Sequence, residues 1–515
     1  MPGASLYFTS TDYVMILPII MLTLFALGIL LFDLMAPEYK RLNAFVALGG
    51  LFFAATGITG IPSVGFFRGT QGVYSHVEAL RLHGVPGQSA LAGSMLIDAF
   101  TVYFWSLFLA AAAISILISM RYLDEEHEHH GEYYALILFA VIGMMCMAAG
   151  VDIVLIFIGL ELMAISTYVL VGFLRSNRRS NEASLKYLLL GAFSSGIFAY
   201  GLSLFYGLTG STNLLTIRSA LARQLEVTNG HPSPVAVLAL LTTATGLLFK
   251  IAAVPFHQWA PDAYEGAPTS ITGFMSVAVK AAAWAMLLRI LVIGLGALYN
   301  IWAPMIIFVA IVTMTGANLA ALTQTNLKRL LAYSSIAHVG YMLLGLVAMT
   351  TSEAAADAIK GILLYLMVYT FMNLGAFAVV TSLRHRNVIG DEIDDIAGLY
   401  SRAPVAALMM LIFLLSLAGI PPLAGFYGKY FIFLSLIESH HYVLAALGVA
   451  YSVFGLYYYL KIANAVFMRD PLEKEKLPVS FGMRVALGIS ALATLGIGII
   501  PEPFIRIVNW SLGLR

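Results

Sequence analysis

The sequence predicts an all-α polytopic membrane protein of about fourteen transmembrane helices, ten of which form two inverted five-helix repeats, each with a proline-broken helix. Three observations predict it. The 515-residue chain is 60% hydrophobic and 11% charged, against roughly 25% charged in an average soluble domain, and its mean hydropathy is +0.89. Its apolar runs are continuous over about 20 residues instead of alternating, which suits membrane helices and excludes a closed β-barrel. Two of the runs are interrupted by proline, at Pro255 and at Pro421-Pro422. The net charge of +1 points to no nucleic-acid or acidic partner.

In chain order the expected spans are 12–34, 44–66, 95–120, 132–148, 151–173, 183–208, 234–259, 272–296, 299–321, 328–349, 357–383, 403–437 (interrupted), 442–467 and 482–501. The first, from about Val14 to Leu34, has no basic stretch before it and is long enough to cross, so it reads as a span and not as a cleaved signal. Asp98 opens the third span as a helix N-terminal charge. The cluster Asp124-Glu-Glu-His-Glu-His-His130 that follows is a solvated loop, and no metal site is expected there. Cys146, the one cysteine, lies in the fourth span and reads as an inert buried thiol. Lys186, Lys360 and Lys461 stand near the ends of the sixth, eleventh and thirteenth spans, where a lysine can snorkel to the surface. The segment Phe67 to Ala92 is long for a connection at this position, and its composition does not account for it.

Loops after odd-numbered spans hold about 15 Lys and Arg, among them Lys40, Arg178, Lys328 and Lys474, and loops after even spans with the C-terminal tail about 6. The first set is expected on the cytoplasmic side, with both termini outside. An internal repeat supports the architecture. Ser166-Thr-Tyr-Val-Leu-Val-Gly172 resembles Val339-Gly-Tyr-Met-Leu-Leu-Gly345, Ser184-Leu-Lys186 resembles Ala358-Ile-Lys360, and Val254-Pro255 resembles Ile420-Pro421, all at an offset of about 166–174 residues. The offset covers five spans, an odd number, so the two copies lie upside down relative to each other. The expected division is 1–130 (three N-terminal helices and a loop), 131–297 (first repeat), 298–468 (second, inverted repeat) and 469–515 (a loop and the last helix). Inverted repeats with broken helices mark transporters, with the ion site near the breaks.

Glu161 in the fifth span, Lys250 in the seventh, Lys280 in the eighth and Lys429 in the twelfth sit inside apolar stretches long enough to cross a membrane. Each costs roughly 2.5–3.5 kcal/mol on insertion scales, so it is kept for a partner, a hydrated cavity or a function. Pro255 and Pro421-Pro422 remove backbone donors, and the freed carbonyls require water or side chains. Lys250 precedes the first break, His257 follows it, and Lys429 follows the second. A low dielectric disfavours an ammonium and a nearby carboxylate favours it, so moving or neutralising the carboxylate makes a buried lysine release or take up a proton. This is a physical basis for a pump without a cofactor of its own. His338, in the tenth span, titrates near neutrality in its ordinary state and is placed to relay protons between the halves, with Tyr, Ser and Thr around it to hold a water chain. Phosphate-binding glycine loops, CxxC spacings and dinucleotide fingerprints are absent from the sequence, so no redox cofactor and no metal are expected in this chain.

Phe249-Lys-Ile-Ala-Ala-Val-Pro-Phe-His-Gln-Trp-Ala-Pro-Asp-Ala-Tyr-Glu-Gly-Ala-Pro268 and Gly425-Phe-Tyr-Gly-Lys-Tyr430 resemble the antiporter-like membrane subunits of respiratory complex I, the proton-pumping NADH:quinone oxidoreductase, over about residues 90–470. The Tyr-Glu-Gly-Ala-Pro run and the lysine, where the M type has glutamate, point to the subunit N type. The resemblance implies that Glu161 is the fifth-helix glutamate and Lys250 its seventh-helix partner. It makes Lys280 the central eighth-helix lysine, Lys429 the twelfth-helix lysine, Lys186 a sixth-helix lysine and His338 a tenth-helix histidine. It further implies a bacterial inner membrane, an M-type neighbour with small membrane subunits, and NADH, FMN, iron–sulfur clusters and quinone in partner subunits. A stand-alone cation/proton antiporter subunit, which shares the architecture, is the alternative. A scaffold that has lost pumping is a third reading, against which the intact mid-membrane charges argue.

Overall fold

A computed structural model describes residues 10–59, 72–83, 85, 87–350, 352–384, 390–471 and 480–513. Among these, 13 helices are long and apolar enough to cross a membrane. The interrupted twelfth span adds a pair of short helices, Pro404–Ala418 and Ala424–Glu438, which completes the expected fourteen. Several expected boundaries shift. The second span ends as a helix at Thr59, short of the expected residue 66, and the remainder lies outside the described residues, as do the loop cations Arg68, Arg386, Lys474, Lys476 and Arg515. Residues Met95–Asp98, expected to begin the third span, instead form a strand antiparallel to Gly87–Ala90, and the helix runs Ala99–Glu126. Asp98 does cap that helix, accepting from the Thr101 amide at 2.8 Å, because four N-terminal amides of a helix lack partners of their own.

The described part of the long 67–92 segment has a packing role. Helix Val73–Leu82 lies against the C-terminal helix Glu502–Ser511: Tyr74 and Trp510 rings are 4.9 Å apart, the Trp510 indole donates to Glu78, and Arg81 Nη1 donates to the Trp510 carbonyl at 3.3 Å.

Enclosure is graded across the bundle. In the most apolar stretch of Thr11–Met35 28% of residues are buried, against 94% in Leu327–Val347 and Glu353–Leu383, so these two helices are the axis about which the others pack. Leu327–Val347 touches both post-break helices, Trp259–Gly266 and Ala424–Glu438. The eighth span is not uniformly α-helical. Met275–Val279 and Arg289–Gly294 are π-helical and flank the α-helical stretch Lys280–Leu288. Such loosened turns concentrate at functional sites.

Both expected breaks are present. Helix Pro234–Ile251 stops at Ala252 (φ 60°) and resumes at Trp259; helix Pro404–Ala418 stops at Gly419 (φ 86°) and resumes at Ala424. A cis peptide bond precedes Pro255 and Pro422.

Candidate functional site

Lys250 is the penultimate residue of its helix, closer to the break than expected, and is 2% exposed. Its Nζ donates to the Tyr168 hydroxyl at 3.3 Å and lies 5.6 Å from the centre of that ring. Glu161 stands seven residues before Tyr168 on helix Ile153–Val171, about two turns, so the two share a face. The Glu161 carboxylate makes no direct ion pair with Lys250 but acts on it electrostatically, and its Oε1 is buried without a hydrogen-bond partner among the described residues. Buried polar atoms are nearly always satisfied, so this oxygen marks a place for water or a mobile proton. The carbonyl of Phe249, in the last turn before the break, accepts from the Ala252 amide at 3.0 Å and from the Trp259 indole at 3.0 Å, and the Val254 amide donates to Thr313 Oγ1 at 3.0 Å.

Lys280, also 2% exposed, directly follows the first π segment, and its Nζ donates to Ser335 Oγ. Its ammonium lies 5.8 Å from the centre of the Tyr264 ring, on the post-break helix. Ser335 sits beside Ser334, whose hydroxyl meets the Tyr459 hydroxyl at 2.5 Å, and Tyr459 in turn meets His338 Nε2 at 2.9 Å. The other imidazole nitrogen, Nδ1, is bonded to the Tyr365 hydroxyl. His338 is therefore gripped on both ring nitrogens, and Ser334, Ser335 and His338 lie on one helix between the two halves.

Lys429 is 6% exposed, and its Nζ donates to the carbonyls of Ala418 at 2.9 Å and Leu417 at 3.4 Å, the last residues before the second break. The lysine itself thus satisfies carbonyls that the proline break frees. Its ammonium lies 5.0 Å from the centre of the Tyr341 ring. The stem of Lys429 passes Gly419 so closely that a Cβ there would come within 2.9 Å of its Cδ.

Of the six expected residues, Lys250, Lys280, His338 and Lys429 are buried within the bundle and Glu161 is half-buried there. Lys186 does not join them. Its Nζ pairs with Glu182 at 2.8 Å and Asp262 at 3.0 Å in a charged cluster at the end of the bundle, with 46% of its side chain exposed. His257 is half-buried near the Tyr333 ring and makes no contact with those five residues. Sequence reasoning missed Arg289. It is 2% exposed, forms a two-pronged pair with Asp98 (2.7 and 2.9 Å), and donates to Thr101 Oγ1 at 3.0 Å and the Ala148 carbonyl at 3.1 Å. The signal was available, since Arg289 is a charge inside an expected span like the other four. The tyrosines 168, 264, 365 and 459 were not separable in sequence from the many other aromatics of the spans.

A polytopic helical bundle with paired broken helices and buried ionisable side chains defines the class of antiporter-like membrane subunits. The family model "NADH:quinone oxidoreductase/Mrp antiporter, TM" matches residues 150–455. The NADH-quinone oxidoreductase subunit N 1 of Koribacter versatilis is 61% identical over 98% of this chain and 96% of its own. A chain of respiratory complex I from Thermus thermophilus superposes with a TM-score of 0.74 at 30% identity, over 95% of this chain and 98% of that one. A chain of the Mrp complex from Dietzia sp. superposes at 0.81 with 18% identity, over 98% of this chain and 97% of that one, a likeness of fold alone. The chain belongs to the NADH-quinone oxidoreductase subunit N family. The higher superposition score of the Mrp chain carries no functional weight, because the two classes share the bundle; sequence identity separates them.

Proposed function

We propose that Glu161, Lys250, Lys280, His338 and Lys429 carry protons across this chain, which acts as a proton-translocating membrane subunit of NADH:quinone oxidoreductase. Electron transfer from NADH to quinone takes place in other subunits, which hold the redox cofactors: FMN, iron–sulfur clusters and the quinone. Its energy reaches this chain as a rearrangement of charge along the membrane. Glu161 sets the charge state of Lys250, Lys250 exchanges with Lys280, and the Ser335, Ser334, Tyr459 and His338 hydroxyl–imidazole series leads toward Lys429. The observation that carries this reading is the set of buried lysines held only by neutral groups, Lys250 on the Tyr168 hydroxyl and Lys280 on Ser335, with the Ser334–Tyr459–His338 hydrogen bonds on the same helix as Ser335. A carboxylate held off from its lysine can change that lysine's charge by a small displacement, which a locked ion pair cannot.

The two five-helix units, 131–297 and 298–468, act in this reading as the two half-channels, meeting at helix Leu327–Val347. The chain lies in a bacterial inner membrane with both termini outside, beside an M-type antiporter-like subunit and small membrane subunits. The positive-inside count and the family support that placement. Lys280→Ala and Glu161→Ala, each in the assembled complex in proteoliposomes, are expected to suppress proton translocation per electron while the complex still assembles. Wild-type stoichiometry in both variants overturns the roles assigned here. The alternative, a stand-alone antiporter, is disfavoured by the level of identity to subunit N relatives across nearly the whole chain.

A further inference from the structure

Where the first broken helix resumes, a cavity of about 290 Å³ is walled by Arg179, Glu182, Lys186, Asp262, Glu265 and Arg329. Three carboxylates face three cations, so the cavity is neutral overall and does not suit a bound metal cation. Its charges are interlocked. Asp262 accepts from Lys186 Nζ at 3.0 Å on one oxygen and from Arg329 Nη1 at 2.8 Å on the other, and Arg329 also reaches Glu265 at 2.8 Å. Lys328, buried just behind, donates to the Ala267 carbonyl at 2.8 Å and closes the far end of helix Trp259–Gly266; Asp391 and Arg384 face it from the neighbouring loop and helix. Burial pushes the Asp262 carboxyl up, but Arg329 and Lys186 outweigh burial and hold it below the usual carboxylate range.

Two sets of aromatic contacts lie between this cavity and Lys250. Lys186 is followed by Tyr187, whose ring stacks on Trp259 (4.5 Å, 12° between planes) and stands edge-on to Tyr168 at 4.6 Å; Tyr168 is the residue that accepts from Lys250. Asp262 lies three residues beyond Trp259, whose indole holds the Phe249 carbonyl next to Lys250. Both members of the Lys186–Asp262 pair are thus one aromatic layer from the first of the buried lysines. The loops that meet here follow the fifth, seventh and ninth spans, all on the side assigned to the cytoplasm.

We propose that this cavity is the proton-collecting vestibule of the chain, with Asp262 the group that first takes a proton bound for Lys250. This assignment rests on the reading of Lys250 and Lys280 as proton carriers. A hydronium ion at the mouth gives its proton to the Asp262 carboxylate, and because Arg329 and Lys186 favour the anion the acid so formed is short-lived and a ready donor. The neutral acid loses its hold on Arg329 and Lys186 and passes the proton inward past the phenols of Tyr187 and Tyr168. Lys250 ends as the ammonium and Asp262 returns to the carboxylate. Lys186 is then a positioning residue at the mouth, not a carrier in mid-membrane.

The test uses the assembled complex in proteoliposomes, with pumping read as membrane potential from an oxonol dye across a range of pH. Asp262→Asn is expected to slow pumping about tenfold on the alkaline side and much less on the acidic side, where protons are plentiful. Formic acid added on the uptake side is expected to restore the lost rate, since a small diffusible carboxyl replaces the missing one, and Asp262→Glu is expected to pump near the wild-type rate. A wild-type rate for Asp262→Asn on the alkaline side overturns the proposal. So does a loss that is equal at every pH and indifferent to formic acid, because a purely structural role predicts that pattern. Lys280→Ala run beside it separates the two readings. Its pumping is lost at all pH values without rescue if the central line is right, and retained pumping removes the central line whatever Asp262→Asn does.

Discussion

The two broken helices solve one problem in opposite ways. At the first break the Phe249 carbonyl is held by the Trp259 indole, and Lys250 is left with a single tyrosine hydroxyl at 3.3 Å. At the second, Lys429 itself binds the Ala418 and Leu417 carbonyls, and no indole is involved. The ionisable groups around them differ in kind as well. The first half brings a carboxylate and two lysines together; the second surrounds one histidine and one lysine with Tyr341, Tyr365, Tyr369 and Tyr459. The difference teaches that a lysine freed from structural duty can answer to Glu161, whereas a lysine that fastens a helix end gives up a hydrogen bond whenever it deprotonates. In the proposed reading, the first half is the one whose lysine is free to respond to charge, and the second half holds its lysine in place.

The strongest way to sharpen the contrast is at the fastened ends of the two repeats. Arg289→Ala removes the buried partner of the half-buried Asp98, leaving it the Thr101 amide and hydroxyl, and is expected to destabilise the chain by about 3 kcal/mol. Lys461, about 172 residues on, donates among the described residues to the Gln324 carbonyl alone, at 2.9 Å, so Lys461→Ala is expected to cost about 1 kcal/mol. Thermal unfolding of the two purified variants in the same detergent checks the pair, and equal losses break the comparison. Next in size, Lys429→Ala is expected to lower stability by about 1–3 kcal/mol in addition to its effect on pumping, because it strands two carbonyls, while Lys250→Ala lowers pumping with less loss of stability. Equal melting temperatures for these two variants contradict the division of labour drawn above. The smallest effect is expected at the residues that end the two helices. Ala252 and Gly419 both adopt left-handed backbone, at φ 60° and 86°. Ala252→Gly is expected to gain a few tenths to about 1 kcal/mol by removing the cost of a side chain there, and Gly419→Ala to lose at least about 1 kcal/mol, since its Cβ also collides with Lys429. A Gly419→Ala variant as stable as the parent shows that Lys429 can move aside.

Most of the bundle was legible because hydropathy reports burial in lipid directly, and a proline in a long apolar run leaves few alternatives to a break. The buried lysines were legible for a related reason: a charge in an apolar run is expensive enough to be a signal by itself. What escaped detection follows from physics that acts between segments. The strand Met95–Asp98 reads as helix because four apolar or capping residues before a long helix carry no distinct period. Lys186 looks like a carrier in sequence, yet its position near a helix end lets it reach Glu182 and Asp262, and only tertiary packing places those carboxylates. The role of Arg289 required knowing that Asp98, read only as a cap, also faces the end of the eighth span. The docking of Val73–Leu82 on Glu502–Ser511 joins residues more than 400 positions apart and leaves no local trace.

The π-helical stretches of the eighth span bear on how this helix tolerates editing of its length. Each wide turn accommodates surplus backbone, so one residue deleted within Met275–Val279 can be absorbed by tightening the turn into ordinary α-helix, without a gap in its hydrogen bonding. The protein so shortened stays helical and inserts as before. Because the wide turn holds the surplus residue, everything beyond the deletion keeps its face, and the Lys280 head stays beside Ser335. A loss of a single codon here is therefore expected to be tolerated, whereas the same loss in the continuous α-helix Leu327–Val347 turns every residue beyond it by about 100° and disturbs the packing of both halves at once.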